Sequence, residues 1–307
     1  MQLRALTEPE AEERDRANHP HWGEGLTVQA HLRREAGLRD SRWGRQARQG
    51  WAWVDGPRIL SSCETFRVDL SVRGQPGLGW QIASVFTEPE LRGRGHASAM
   101  LEALADRLVQ TPGAAALTLY SDVPPSIYER VGFVARPAWD RVLPADPQAG
   151  TLAGLQALPE GALWTLPRLP EPSGDVVIPV TAEMLDWQVD HARWEAALSA
   201  AFPGGRHAPK IDCGARLGDE LIIWQVARDH LLILLLAAPK HPGPLLAAAA
   251  RTAARLGLPT LRAWEVPGWP AGLGHRVPRA GARPMIRPLR ADVDPEGWVD
   301  IPRGLWV

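Results

Sequence analysis

At 307 residues the chain is long for one hydrophobic core, and two domains are the natural expectation. Hydrophobic residues make up 45% and charged residues 22%, an ordinary composition for a soluble globular protein. The formal charge of −1 supplies no global field to gather nucleic acid or an anionic membrane, so neither is expected as a partner. Lysine occurs only at Lys210 and Lys240, which makes arginine the default base of this chain and no single arginine notable for its identity.

Cys63 and Cys213 lie far apart and form no metal-type or redox spacing, which predicts a reduced, cytoplasmic protein rather than a disulfide framework. The first residues, MQLRALTEPEAEERDR, contain no apolar signal core. The most apolar run, HLLILLLAAP, is too short to cross a bilayer and reads as a buried strand.

In chain order, MQLRALT predicts a short strand followed by a partly helical polar region. LTVQAHLRREAGLRD predicts a helix, with Thr27 as its cap and Leu26, Val28, Leu32 and Leu38 loosely at helical spacing. Alternation of Trp51 and Trp53, a turn at Asp55-Gly56-Pro57 and a longer apolar run predict a hairpin. GWQIASVFT is the next strand. A helix follows with Met100, Leu101, Leu104 and Leu108 on one face. AALTLYSD is a strand beyond it, and PPSIYERVGF a short helix stopped by Gly132. This order predicts neighbouring parallel strands joined by a helical crossover.

The expected boundaries are a first domain over 1–145, a Pro/Gly-rich connector over 146–175 with Trp164 tucked against a domain, and a second domain over 176–307. The second half restarts with a helix through TAEMLDWQVDHARWEAALSAAF, carrying Met184, Trp187, Trp194 and Leu198 on its apolar side. A hairpin over DELIIWQVARDHLLILLLAAP comes next, then a helix leading into the strand LPTLRAWEV. The turn before that later helix has no counterpart of Arg92-Gly93-Arg94-Gly95.

That arginine–glycine turn is the chemical focus. A helix begins with backbone N–H groups that have no carbonyl partner inside the helix, and their partial positive charge attracts anions. Glycine lets a phosphate approach the main chain, and the small Ala97 and Ser98 keep the first turn open. The turn lacks the Gly-Lys-Ser/Thr of a nucleotide-triphosphate loop and the glycine spacing of a dinucleotide fold.

VFTEPELRGRGHASAML resembles motif A of the GNAT superfamily of acetyl-CoA-dependent N-acetyltransferases, with Arg92, Gly95 and Ala97 at the pattern Q/R-x-x-G-x-G/A. LTLYSDVPPSIYERVGF is similar to the following motif B, with Tyr128, Gly132 and Phe133 at its Y-x-x-x-G-F. Together with WGEGLTVQAHLRREAGLR and SSCETFRV, these stretches further resemble the fungal lysine N6-acetyltransferase family, which acts on free lysine.

The resemblance implies an α+β fold with a GNAT-type mixed central sheet flanked by helices, followed by a second, degenerate GNAT-like domain covering the acceptor groove. It also implies acetyl-CoA as co-substrate and a small-molecule amine as acceptor, with no metal, no nucleic acid and no membrane. Monomer and homodimer both fit. Backbone groups of Val85, Phe86 and Thr87 are expected to pair with the pantetheine arm. Arg92, Gly93, Arg94, Gly95, His96, Ala97 and Ser98 are expected to hold the pyrophosphate through the main chain, and an N–H near Ser84 or Val85 to polarise the thioester.

Tyr128 is the expected general acid, and Glu64 and Asp122 are the candidate bases, with Asp122 equally placed to cap the short helix. Trp187, Trp194 and Trp224 are candidate walls of the acceptor pocket. Cys63 reads as a small buried hydrophobe, and His19 and His21 lack further ligand-type neighbours for a metal. The alternative to an enzyme is a catalytically inactive acyl-CoA-binding sensor.

Overall fold

The computed structural model describes residues 1–307 except 24, 167–168, 170–172, 199–211, 239 and 307. Strand β1 (Gln2–Ala5) leads into helices α1 (Glu8–Trp22), α2 (Val28–Asp40) and α3 (Arg42–Ala47). The Thr7 hydroxyl and the Glu10 carboxylate form a capping box at the start of α1, and Thr27 caps α2 by accepting from the Ala30 N–H at 3.2 Å. A meander follows in β2 (Arg48–Asp55), β3 (Arg58–Val72) and β4 (Gln75–Thr87). Helix α4 (His96–Leu108) crosses to β5 (Ala114–Ser121), which lies parallel to β4. Met100, Leu101 and Leu104 on α4 are fully buried against this sheet, as their spacing predicted.

Helix α5 (Ser126–Glu129), β6 (Val134–Ala135), β7 (Trp139–Pro144), β8 (Gln156–Leu158) and β9 (Val176–Val177) come next. The C-terminal half is α6 (Ala182–Leu198), β10 (Gly214–Leu217), β11 (Glu220–Val226), β12 (His230–Ala237), α7 (Pro242–Arg255), β13 (Thr260–Trp264), β14 (His275–Pro278) and β15 (Arg283–Pro288). The expected continuation of α6 through Ala201 and Phe202, and its Leu198 side chain, lie outside the described residues, as does part of the expected connector.

Two mixed sheets result, in the orders β1-β2-β3-β4-β5-β15-β6 and β8-β10-β11-β12-β13-β7-β14, with β9 added beside β3. They repeat one plan. Each has an antiparallel meander, a helix crossing to a parallel strand, and then two antiparallel strands. The last of these strands are exchanged: β15 enters the first sheet between β5 and β6, while β7 enters the second between β13 and β14.

The expected cut at 145/146 therefore does not separate the sheets. The exchange is held by ladders from Arg283↔Ser121 to Pro288↔Ala116 and from Thr260↔Pro144 to Trp264↔Asp140. Pairings so distant in sequence leave no local signal. The connector also holds more structure than its composition suggests, since β8 pairs with β10. Trp164 is 39% exposed rather than tucked away, with the Arg42 guanidinium 4.7 Å over its ring.

A shared core joins the sheets, combining Phe66, Val68 and Leu70 with Ile178, Leu185, Trp187, Trp264 and Trp298. Both cysteines are free and buried. Among the described residues no helix is long and apolar enough to cross a membrane.

Ile286 is fully buried in β15 yet packs in the first sheet. Ile286→Ala should therefore lower the urea-unfolding free energy of the whole chain by about 2–5 kcal/mol. A fragment ending at residue 145, which lacks β15, should show no cooperative thermal transition by circular dichroism.

Candidate active site

Strands β4 and β5 pair from Leu78 to Ile82, and the last rung is Ile82↔Leu119. Beyond it they separate. On its other edge β4 carries a bulge, because Ala83 pairs with Glu64 and Phe86 with Ser62, leaving Ser84 and Val85 opposite Cys63 alone. Ser84 adopts φ 52, a left-handed conformation that is strained for a side chain with a Cβ. The backbone of Ala83–Val85 is thus turned into the opening between the strands.

The chain leaves β4 through a 3-10 turn at Pro89–Leu91 and enters α4 through the arginine–glycine turn. Gly93 and Gly95 have φ 76 and 80, and a Cβ built on either would meet nothing within 4 Å. No side chain caps the N-terminus of α4. His96, Ala97 and Ser98 form its half-buried first turn. The site thus combines uncapped peptide N–H groups, open space and a helix dipole, which suits an anion.

The Arg92 guanidinium turns back, donating to the Thr87 carbonyl at 3.1 Å and meeting the His21 ring nitrogen at 3.0 Å. Phe86 is buried beneath Arg14, whose guanidinium lies 4.8 Å from the ring centroid. The Ser61 hydroxyl ties down the Phe86 carbonyl at 2.9 Å and the Thr87 hydroxyl at 2.8 Å. Arg94 is exposed.

A cavity of about 300 Å³ opens at the mouth of the wedge. It is lined on one side by Ile82, Ser84, Val85 and Tyr128, and on the other by Asp15, His31, Glu35, Glu64, Trp187 and Trp306. Tyr128 comes from α5 and is 8% exposed; burial pushes its phenol up to about 12, with Cys63 and Asp122 adding to the effect. Burial pushes the Cys63 thiol upward, which suits an inert core residue better than a nucleophile.

Glu64 lines the cavity and is ion-paired with Arg48 from the neighbouring strand. Asp122 also lines it, but its carboxylate accepts the Ala282 N–H at 2.7 Å. It therefore pins the loop before β15 instead of capping α5, which has no side-chain cap. Of the three candidate tryptophans, Trp187 is a wall. Trp194 packs its ring on Gly37 of α2, and Trp224 lies in the core of the second sheet, donating to the Asp212 carbonyl at 2.7 Å.

Sequence reasoning missed the charged network that α1 and α2 bring to the cavity. Burial pushes the Asp15 carboxyl up to about 7 even though Arg39 is ion-paired with it. The His31 Nδ1 accepts from Arg34 at 3.1 Å and its Nε2 meets Asn18 Oδ1 at 2.9 Å, a pattern for neutral imidazole. Burial, helped by Arg34, holds His31 down at about 4. Arg34 also donates to Glu35 at 2.9 Å. His191 of α6 is likewise held down, at about 3, first by burial and then by Arg34 and Arg303. His19 is bound to the Leu26 carbonyl at 2.8 Å.

Residues 29–135 match the family model of the acetyltransferase (GNAT) domain. That stretch runs from α2 to β6 and contains the wedge and the glycine turn. The model is for the GNAT domain at large and does not single out the fungal lysine type.

No curated protein matches the sequence. Among solved structures the chain is similar in fold to a GCN5-related N-acetyltransferase from Kribbella flavida, at 17% identity over 94% of this chain and 71% of that one, with a TM-score of 0.59. It is similar to another from Anabaena variabilis, at 12% identity over 94% and 73%, with a TM-score of 0.60. Eis1 from Mycobacterium abscessus aligns at 16% identity over 94% and 74%, with a TM-score of 0.54. At such identities the likeness is one of fold, and it extends across both sheets.

Arg48 and Glu64 are both mostly buried and face each other across β2 and β3. Arg48→Met strands the Glu64 charge, so it should destabilise the protein by about 3–5 kcal/mol in urea titrations, while removing both charges should cost much less.

Proposed function

We propose that the protein transfers the acetyl group of acetyl-CoA to a primary amine of a small molecule. The observation that supports this most directly is that β4 leads from the cavity-lining bulge at Ser84 and Val85 to the uncapped glycine turn. Acetyl-CoA supplies an activated acetyl thioester when bound. The open edge of β4 at Val85, Phe86 and Thr87 offers main-chain partners to an extended amide chain. The N–H groups between Arg92 and Ser98 offer a seat to a pyrophosphate. An N–H at Ser84 or Val85, held by the bulge, is oriented to polarise a thioester carbonyl and stabilise charge developing on its oxygen.

In this reading Tyr128 is the general acid. Its raised pKa keeps the phenol protonated throughout the neutral range, so it retains a proton to deliver to a departing thiolate. The acceptor occupies the cavity, where Trp187 and Trp306 from the C-terminal half help to enclose it. A space of about 300 Å³ is of a size to take a small amine. Free lysine, the acceptor implied by the finer resemblance, is the first amine to try.

A thiol-release assay with acetyl-CoA and a panel of free lysine, cadaverine, ethanolamine and glucosamine should reveal at least one acceptor, confirmed by mass spectrometry of the acetylated amine. Coenzyme A binding without turnover across a broad panel would instead support the sensor reading. Tyr128→Phe should lower kcat by about 10²-fold or more and leave the Kd for coenzyme A within about two-fold.

Gly95→Ala forces a Cβ into a left-handed conformation at a cost of about 1–2 kcal/mol. By calorimetry it should weaken coenzyme A binding by about ten-fold or more, an effect of about 1.4 kcal/mol. Gly113→Ala, at φ 82 but away from the turn, should lose similar stability without the loss of affinity.

A further inference from the structure

Three carboxylates, Asp15 from α1, Glu35 from α2 and Glu64 from β3, line the acceptor cavity, and each has its own arginine. Arg39 pairs with Asp15, Arg34 with Glu35 at 2.9 Å, and Arg48 with Glu64. Trp187 is 7% exposed and lines the same space.

We propose that Asp15 is the general base of the proposed reaction, taking the proton from the acceptor's ammonium group inside this cavity. The proposal rests on the acetyl-transfer reading above. A primary alkylamine is charged at neutral pH and has no lone pair to attack with until a proton leaves it.

The groups around Asp15 decide why this carboxylate, rather than its neighbours, is suited to the task. Asp15 is 4% exposed. The cations facing it are Arg39 from α2 and Arg48 from β2, while Arg34 of α2 is turned to Glu35. The anions are Glu35 from α2 and Glu64 from β3, both of which raise its proton affinity. His31 of α2 and His191 of α6 line the same cavity, and both stay neutral.

Burial and the two carboxylates outweigh Arg39 and place the Asp15 midpoint at about 7. The carboxyl is protonated below that pH and ionised above it, so it accepts a proton only on the alkaline side and returns it readily to solvent. Glu35 is also pushed upward by burial, but its arginine neighbour is engaged with His31 and the Trp22 carbonyl as well.

One ammonium proton moves to an Asp15 carboxylate oxygen, and the freed lone pair forms the new C–N bond as the C–S bond breaks. The departing thiolate takes the Tyr128 phenolic proton, and Tyr128 recovers it from the nitrogen's second proton. Asp15 then releases its proton to water, so each turnover yields amide, free thiol and one proton.

Two measurements test this. In the ligand-free protein, carbon-13 NMR of aspartate carboxyls should show one group titrating at about 7, absent in Asp15→Asn. With the best alkylamine of the panel, Asp15→Asn should lower kcat/KM by about 100-fold and abolish the acidic limb near pH 7. With hydroxylamine, which is already neutral at that pH, the loss should shrink to a few-fold, and coenzyme A affinity should be unchanged.

If Asp15→Asn does not fold, Arg39→Lys serves instead. Loosening the pairing should move the acidic limb to higher pH, whereas a purely structural salt bridge would leave the limb in place. An unaltered limb, equal losses with both acceptors, or no aspartate titrating near neutrality overturns the role of Asp15. Absence of turnover by the wild-type chain on every amine instead sinks the acetyl-transfer reading itself.

Discussion

The structure turns on a single rung, Ile82↔Leu119, where two parallel strands stop pairing. Strands part only if the backbone groups they release find other uses, because unpaired buried peptide groups are costly. Here the outer edges of both strands are occupied. Strand β4 is held by β3 up to Thr87, and β5 is held by β15 up to Ser121. The inner edges can therefore diverge without fraying, and the bulge at Ser84–Val85 fixes the direction of the bend. The wedge, the turn into α4 and the cavity beyond all inherit their geometry from that point. One wall of the wedge is braced by a strand that appears only near residue 283, so the site requires the C-terminal half even where no residue of that half touches it.

A second constraint is the polarity of α1. Its sequence, EPEAEERDRANHPHW, has no apolar stripe, yet Arg14, Asp15 and Asn18 are buried. A helix cannot be held to a sheet by such residues through the hydrophobic effect, so ion pairs and hydrogen bonds fasten it. Arg14 reaches Glu88 at 2.6 Å and the Ser62 hydroxyl at 3.2 Å, while Asp15 reaches Arg39. Such buried pairs are expensive to form and more expensive to break on one side only. The arrangement makes chemical sense where a polar ligand has to be received, because Asp15, which helps to anchor the helix, also lines the space.

The sequence carried most of the first sheet. Hydrophobic alternation, a cap at Thr27 and the glycine turn before α4 are local signals, and the elements they indicated are present. The turn and Tyr128 were legible because each is set by a few adjacent residues. The strand exchange was not, since a six-residue strand such as RPMIRP looks the same in either sheet. Nor were Asp15, His31 and Glu35 legible as cavity residues. They sit on charged helices whose periodicity describes a solvent-facing surface, and only the tertiary fold turns that surface inward. The one available sign was a polar helix with no apolar face at all, which has to be fastened by something other than a core.

The second sheet shows how the same plan loses its anion seat. Its parallel strands β12 and β13 also stop pairing at a last rung, Ile233↔Ala263, and β12 also bulges there, with Leu234 skipped between the partners of Trp224 and Ile223. The slot beyond is small, about 120 Å³, and Pro302 and Arg303 from the C-terminal segment help to line it. The decisive difference is at the helix start. Pro242 and Pro244 remove two of the N–H groups that a first turn would present. The Glu220 carboxylate is seated just before the helix, accepting from the Lys240 N–H at 2.5 Å and the His241 N–H at 3.0 Å. Although burial works against its ionisation, these bonds and the His241 ring hold the Glu220 pKa below its ordinary value. An anion is already in place, covalently part of the chain, so a phosphate approaching this helix would meet negative charge instead of free peptide N–H groups. The contrast with the glycine turn is therefore electrostatic: one helix start leaves its donors open, and the other lacks two of them and has a carboxylate seated beside it.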